Sequence, residues 1–549
     1  MKKKFLLIAF FILIAMLALP SSCNKQPAEQ AEDAMTPYGR YENTLKVTIA
    51  KHDSPITNFP DGMSMYNNPY FDILKDKLNI EVEIVWVAAV FDSQLALCIM
   101  TGDIPDLCYV SDHLQLKLLA ENDLIQPLDG LFEACMNDWA KQNYATFGDD
   151  IFKPSTFNGK QMALPGTANV NQRPLLWVRK DWLDALNLQP PKTLDEIINV
   201  AQQFMQKDPG GNGPGNTIGI NCYREWAFQG YANQYGMEPI CYSYGAYPAA
   251  WVFNDSGEAV YGSVQPEMKE ALRKIRSMFE TGILDPECFY QGWEEVWGNV
   301  NEGKTGLFFT VYTFPNSNLS YATNNPEGEL LAYPAPLDAN GKNTYVTTAS
   351  TTYWYTVRKG FDHPEALYKI LNVCLDAHSG RDPDGYALLQ PVRDRGTDWT
   401  YVIPTGRFNI TNTTGAKLNA DRIREYLETG IVGEDWEWTD LSVANTERIR
   451  DWMEGRSKDP TDWARYATSY VASYNIVTPE DNVIVPAYSY KTDIMIDKWD
   501  SLQILERSMY RGIMTGEMPI DYFDEFVTQW YEMGGREITA EVNAVINAP

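Results

Sequence analysis

Histidine is scarce in this chain: four among 549 residues, His52, His113, His363 and His378. No two of them stand at metal-ligand spacing, so no catalytic zinc is expected. The eight cysteines contain no C-x-x-C pair, which excludes the common zinc and thiol-redox motifs. Positive charge is short as well. Forty-five Lys and Arg face 73 Asp and Glu, for a formal charge of −28. Nucleic-acid binding needs a basic surface and is excluded as a main activity. After the N-terminal segment, no apolar run approaches the ~20 residues that span a bilayer. No repeat with a period of roughly 20–50 residues is present.

What is present begins with a leader. Lys2, Lys3 and Lys4 precede an unbroken apolar run of 15 residues, Phe5 to Leu19, and small residues Ser21 and Ser22 precede Cys23. The pattern reads as a secretory signal over residues 1–22. A cysteine directly after small residues points to cleavage before Cys23 and acylation at that residue, an anchor on the outer face of the cell membrane. Pro20 stands where the usual lipobox carries Leu. Residues 23–43 read as a lipid-anchored flexible tether, polar and interrupted by Pro27 and Pro37. Removing the three leader lysines takes the chain from −28 to −31. The other seven cysteines read as buried thiols. A Cys222–Cys241 disulfide is the alternative that an oxidising exterior allows.

With 44% hydrophobic residues, the chain can bury a large core, and its length calls for two or more lobes. Leu45, Val47 and Ile49 alternate as in a strand. A helix is expected around residues 70–78, then a strand through Val82, Ile84 and Trp86. This β-α-β order favours a parallel sheet with right-handed crossovers. Thr193 and Glu196 form a capping box ahead of Ile197, Val200, Ala201 and Phe204. Pro266 opens another helix, striped by Met268, Leu272, Ile275 and Phe279 and stopped at Gly282. Near the end, Phe523, Val527, Trp530 and Tyr531 share a face that Gly534 and Gly535 are expected to close.

Several phrases, taken in order, resemble the sugar-binding class (family 1) of ABC-transporter extracellular solute-binding proteins, and within it the long LipO-like lipoprotein branch. They are TGDIPDL at 101–107, LIQPLDGLFE at 124–133, FNGKQMALPG at 157–166 and WVRKDWLDALNLQPPKTLDEI at 177–197. VYGSVQPEMKEALRKIRSMFETGILDPE at 260–287, GKTGLF at 303–308 and HPEALYKILN at 363–372 follow, and the tail from Tyr510 closes the match. The resemblance implies an α/β fold of two periplasmic-binding-protein-like lobes, joined by hinge segments around a central ligand cleft. Lobe I is then expected at 44–168 and 342–398, and lobe II at 169–341 and 399–549.

The implied function is capture of a carbohydrate, an oligosaccharide by preference, for delivery to the permease subunits of an ABC importer. The implied protein is a monomer that performs no catalysis. Two rivals remain at this stage: a secreted glycan-active hydrolase, and a sensor or adhesin lipoprotein reusing the fold. A hydrolase needs a matched pair of carboxylates, and no motif here singles one out.

A sugar offers hydroxyls and a flat C–H face, so its binder needs aromatic faces beside polar edges. The chain has 16 Trp, 32 Tyr and 22 Phe. The family places its contacts at strand ends facing the cleft. By that rule the candidates are Ser111, Asp112, Tyr312, Phe314, Tyr353, Trp354, Tyr488 and Tyr490, with Trp226 and Trp251 added from loop-side aromatic clusters. Core packing is the competing role for each aromatic, and a helix N-cap for Asp112. Arg173 offers itself to an acidic sugar or to a hinge ion pair. The loop 208–216 has calcium-loop spacing in Asp208, Asn212 and Asn216, with Gly213 at the turn. A structural calcium there would be weak, since Asp208 alone carries charge; the competing reading is a plain glycine-rich loop. No cofactor is required.

Overall fold

The computed structural model describes residues 35–547 apart from 54–57, 171, 228–233, 335, 396–401, 407, 409, 435 and 437. The expected signal segment 1–22 and Cys23 lie outside the described residues. Two lobes are present, as expected, each an α/β layer structure.

The first lobe is built on a five-stranded sheet. Its order is Ile80–Ala88, Leu45–His52, Leu107–Val110, Trp354–Val357 and Leu164–Pro165. The first three strands are parallel and Trp354–Val357 runs against them. Helices Pro69–Leu78 and Phe91–Thr101 make the crossovers. The first of these starts where Asn68 accepts from the Tyr70 backbone N–H, with proline at the first helical position. It stops at Asn79, whose φ of 57° turns the chain left-handed. Val47, Ile49, Leu74 and Ile80 pack with Leu367, Ile370 and Leu371 of the helix Ala366–Ser379.

Two boundaries differ from expectation. Residues 37–43, assigned to the tether, are fastened to this lobe. Asn372 donates to the Pro37 carbonyl (3.0 Å), Lys369 to that of Gly39 (2.7 Å), and Tyr41 N–H to the Leu78 carbonyl (3.0 Å). At the other end the lobe runs past 398. Val402, Ile403, Phe408 and Ile410 join its core. Buried Lys51 and Asn68 donate to the Ile403 and Val402 carbonyls, which fixes that segment in place.

The second lobe is centred on Pro174–Arg179, which pairs antiparallel with Leu307–Val311 on one side and Leu330–Tyr333 on the other. All six residues of the central strand are buried, so both faces need cover. Leu176 and Val178 point into a core shared with the helices Leu194–Lys207, Glu267–Glu280, Asp493–Thr515 and Tyr522–Trp530. Leu175 and Trp177 point the other way, to Phe308, Tyr321, Trp463 and Ala467. Residues 218–221 extend the sheet in parallel through bridges Ile218–Thr305 and Asn221–Phe308, and Ile220 pairs with Leu284. The capping box forms as expected: Thr193 accepts from Glu196 N–H and Glu196 reaches back. The tail departs from expectation. Gly534 (φ 129°) kinks the helix without ending it, and a further helix runs over Arg536–Ile546.

The lobes are joined by neighbouring segments near 166–173, 347–353 and 411–414. Gly166 N–H donates to the Tyr353 carbonyl and Ala168 N–H to that of Ser350, both at 2.8 Å. Thr411 N–H donates to Thr167 Oγ1 (2.7 Å). A Cβ at Gly166 would sit 1.9 Å from the Tyr353 ring, so the close approach of these segments requires glycine. Beside them, strands Asn343–Val346 and Asp481–Ile484 pair in parallel.

Candidate functional site

Ligands of open α/β sheets sit outside the carboxyl ends of parallel strands. In the first lobe those ends are His52, Ala88 and Val110. His52 stacks on Phe91 (4.3 Å between centroids, 22°), and Trp86 leans on the same ring at 4.8 Å. Tyr109 meets His52 edge-on at 5.9 Å and stacks on Tyr353 at 5.5 Å. Burial holds the His52 imidazole below its ordinary pKa, with Asp92 opposing, so the ring is neutral at pH 7. Ser111 Oγ donates to Asp92 Oδ1 (2.7 Å), and Gln115 donates to the Asp92 carbonyl (2.8 Å).

In the second lobe the strand Leu307–Val311 delivers Tyr312 to the joining segments. There its hydroxyl accepts from Asn169 Nδ2 at 2.6 Å. That bond fixes which edge of the second sheet faces the first lobe. Tyr223 follows the adjacent parallel segment and meets Trp293 edge-on at 5.7 Å; Trp297 stands 6.3 Å further along. Trp293 and Trp297 keep part of their surface open. Both edges run to the joining segments, the first through Tyr109 and Tyr353 and the second through Tyr312 and Asn169, and each carries partly open aromatic rings or short polar side chains. Such a lining suits a ligand with flat apolar faces and hydroxyl edges.

The expected site residues divide. Ser111 lies at the carboxyl edge, and Asp112 lies beside it as the N-cap of His113–Glu121, accepting from Leu114 N–H. Tyr312 lies at the junction. Tyr490 and Trp354 converge on His113, at 4.7 and 5.3 Å, with Tyr488 next along. The others are core residues, and Trp354 is one of them despite its contact with His113. Phe314 packs on Trp177 and Phe308, Tyr353 on Tyr109 and Tyr355, and Trp354 inside the cluster with Val110 and Met162. Trp226 tilts on Tyr510 at 5.0 Å, and Trp251 is enclosed by Tyr261, Trp499 and Trp530. Their faces are covered by neighbouring rings, so stacking on a ligand is not open to them. The residues missed are His52, Trp86, Phe91, Asp92 and Asn169. The first four sit at or just past the carboxyl ends of the strands expected from period-2 alternation, which was the available signal.

Arg173 serves the hinge. It is buried, pairs with Asp481 at 2.9 Å, donates to the Asn475 carbonyl and lies 4.2 Å from the Tyr345 ring centroid. In the glycine-rich loop, Asp208 Oδ1 accepts from Asn212 N–H (2.9 Å) and Thr217 Oγ1 (2.6 Å), and Oδ2 accepts from Gly213 N–H (2.8 Å). Asn216 Nδ2 donates to the Asn212 carbonyl, and Asn212 Nδ2 to Thr217 and Gly303. Calcium takes six to eight oxygen ligands. Among the described residues no cluster of three or more His, Cys, Asp or Glu could hold a metal ion. With one carboxylate already committed to three donors, the residues at 208–216 do not fit that ion. The seven described cysteines are free and buried, and the sulfur beside Cys222 is that of Cys288, not Cys241.

Against known proteins, the sequence profile of the family described as bacterial extracellular solute-binding protein matches residues 70–377, more than half of the chain. The polygalacturonan/rhamnogalacturonan-binding protein YtcQ of Bacillus subtilis is 25% identical over 474 residues, covering 84% of this chain and 85% of YtcQ. Lipoprotein LipO of the same species is 20% identical over 491 residues, covering 87% and 88%. Among solved structures, an HMO-binding, ABC-transporter-associated solute-binding protein of Bifidobacterium longum infantis superposes with a TM-score of 0.61 at 14% identity, covering 92% of this chain and 99% of that one.

Proposed function

The chain belongs to the bacterial extracellular solute-binding proteins, and from that premise we propose that it captures an oligosaccharide outside the cytoplasm and passes it to the permease of an ABC importer. The observation that carries this reading is the pair of carboxyl edges that run to the joining segments, with His52, Trp86 and Asp92 on one and Tyr312 and Trp293 on the other. Relatives named for polygalacturonan and HMO binding support a glycan as the guest. Ligand closes the lobes about the joining segments, and the importer reads the closed shape. The monomer is the working unit. Cys23, by its place after the leader, ties the protein to the outer face of the membrane.

The test is a thermal-shift screen of the purified protein against glycans, amino acids and peptides. A ligand that binds only the folded form raises the Tm with its concentration. At least one oligosaccharide is expected to do so without being altered. A shift with peptides or amino acids and none with any glycan overturns the reading, as does recovery of a cleaved glycan. The anchor has its own test: Cys23→Ser is expected to move the protein from the membrane fraction into the medium or periplasm.

A further inference from the structure

Of the seven described cysteines, all buried thiols, two lie side by side in the second lobe. The chain brings them together in steps. Ile220 N–H donates to the Ile283 carbonyl (2.7 Å) and Asp285 N–H to the Ile220 carbonyl (3.1 Å), with Ile220 and Leu284 as a parallel bridge. Asp285 then opens a turn. Its carbonyl accepts from Cys288 N–H (3.1 Å) and its carboxylate from Glu287 N–H (3.0 Å). Cys222 stands two residues past Ile220 and so points to the same side. Ile220, Cys222, Leu284 and Cys288 all belong to one core. There the Cys222 sulfur meets both the Cys288 thiol and the Asp285 backbone N–H. Two sulfurs within hydrogen-bonding reach have roughly 2 Å to close before they can bond.

The other five thiols are engaged elsewhere. Cys98 and Cys108 share a core, but Cys108 S–H donates to the Tyr109 carbonyl (3.4 Å) and Cys98 accepts from Gln94 Nε2 (4.0 Å). Cys135 and Cys374 lie in the first lobe, beside Lys369 and Lys51 respectively. Cys241 lies near Glu238.

We propose that Cys222 and Cys288 form a disulfide once the chain has left the cytoplasm. The two thiols give up two protons and two electrons, and one S–S bond forms between them. The electrons go to the disulfide of an extracytoplasmic thiol oxidase, which departs as a dithiol. Both sulfurs are buried in the folded protein, so the exchange takes place during folding, and the finished bond is shielded from reductants. An oxidising exterior preserves it. The bond closes a loop of roughly 65 residues, which removes conformational freedom from the unfolded chain. It also staples a segment that serves the candidate site. Tyr223, the next residue after Cys222, meets Trp293 edge-on at 5.7 Å, and Asn221 donates to the Val296 carbonyl (2.8 Å). The inference rests on the placement outside the cytoplasm proposed above and adds a covalent link to it.

The experiment uses Cys23→Ser protein collected outside the cell, denatured and labelled with a maleimide. Of its seven remaining cysteines, all but two are expected to react without reductant, and all seven after it. Digestion without reductant should release one linked pair of peptides, carrying Cys222 and Cys288. Reductant should lower the Tm by about 5 °C. It should leave the Tm unchanged in a variant that carries both Cys222→Ser and Cys288→Ser. The label count and the linked peptides come from protein with both cysteines in place, so they decide the matter even where that variant does not fold. Seven reactive cysteines without reductant, or a linkage of Cys222 to Cys241, overturns the disulfide and leaves the binding reading standing. Protein that stays in the cytoplasm overturns the placement instead. Refolding that protein with reduced and oxidised glutathione then decides the pairing by the same peptides.

Discussion

Glu238 shows how a single side chain sets a pH response. It is buried in the second lobe, and neither carboxyl oxygen meets a partner elsewhere among the described residues. Burial pushes its pKa up to about 8, with its own backbone N–H opposing. Its carboxyl folds over Gly236, where a Cβ would fall 1.8 Å from the oxygen. Glu506, which accepts from the Tyr261 hydroxyl at 2.9 Å, is likewise pushed up by burial, to about 7. A raised acid binds its proton more tightly in the folded state. Stability is then full below the ordinary carboxylate range and falls as pH climbs through 7 to 8, where the folded groups lose their protons. Glu238→Gln should match the parent near pH 5 and exceed its Tm by about 2 °C or more at pH 8.5. Melting curves from pH 5 to 9 decide it; parallel curves for parent and variant would show that the buried carboxyl is not what titrates. This residue was not legible in the sequence, because nothing local marks a glutamate for burial. The same holds for Trp226 and Trp251. Their neighbours Tyr510 and Trp530 lie more than 270 positions away, so only the fold shows that their faces are taken.

At the scale of elements the sequence was more readable, because caps and periodicity act within a few residues. The Thr193 box, the stripe after Pro266 and the strand through Val82 all stand where local chemistry puts them. Thr193→Ala should cost about 1 kcal/mol in urea unfolding, the usual worth of a side-chain N-cap. Pairings between distant segments were invisible. Asn343–Val346 meets Asp481–Ile484 in parallel across the hinge, and the pair brings Asp481 to Arg173. Both side chains are almost wholly buried, and Thr478 N–H and Oγ1 occupy the remaining lone pairs of Asp481. Asp481→Ala strands a buried guanidinium, so it should lower stability by about 3–5 kcal/mol. Conversely, a loss under about 1 kcal/mol in chemical denaturation would mean that water reaches Arg173 and the hinge is looser than drawn. The glycine-rich loop makes a contrasting case. Asp208 ties it to Asn212, Gly213 and Thr217 with hydrogen bonds alone. Asp208→Ala should therefore lower the Tm, while millimolar calcium should leave the Tm of the parent unchanged. A calcium-dependent rise would show that the loop opens its donors to the ion.

The two-lobed plan itself could be read from the order of phrases along the chain, but the cleft lining could not, since it is assembled from strand ends of both lobes. The whole molecule adds a field that no single element reveals. A formal charge of −28 repels an anionic glycan at long range. Salt shortens the reach of the field to about 10 Å at 0.1 M, so it removes repulsion from the approach. For an acidic oligosaccharide, then, raising salt from about 20 to 200 mM should speed association a few-fold. A neutral oligosaccharide of the same length should show no such change. Stopped-flow tryptophan fluorescence can follow the association, since Trp293 and Trp297 stand near the joining segments with part of their surface open. Association that slows with salt would mean that a local cluster of positive charge, not the net charge of the molecule, governs the ligand from first approach.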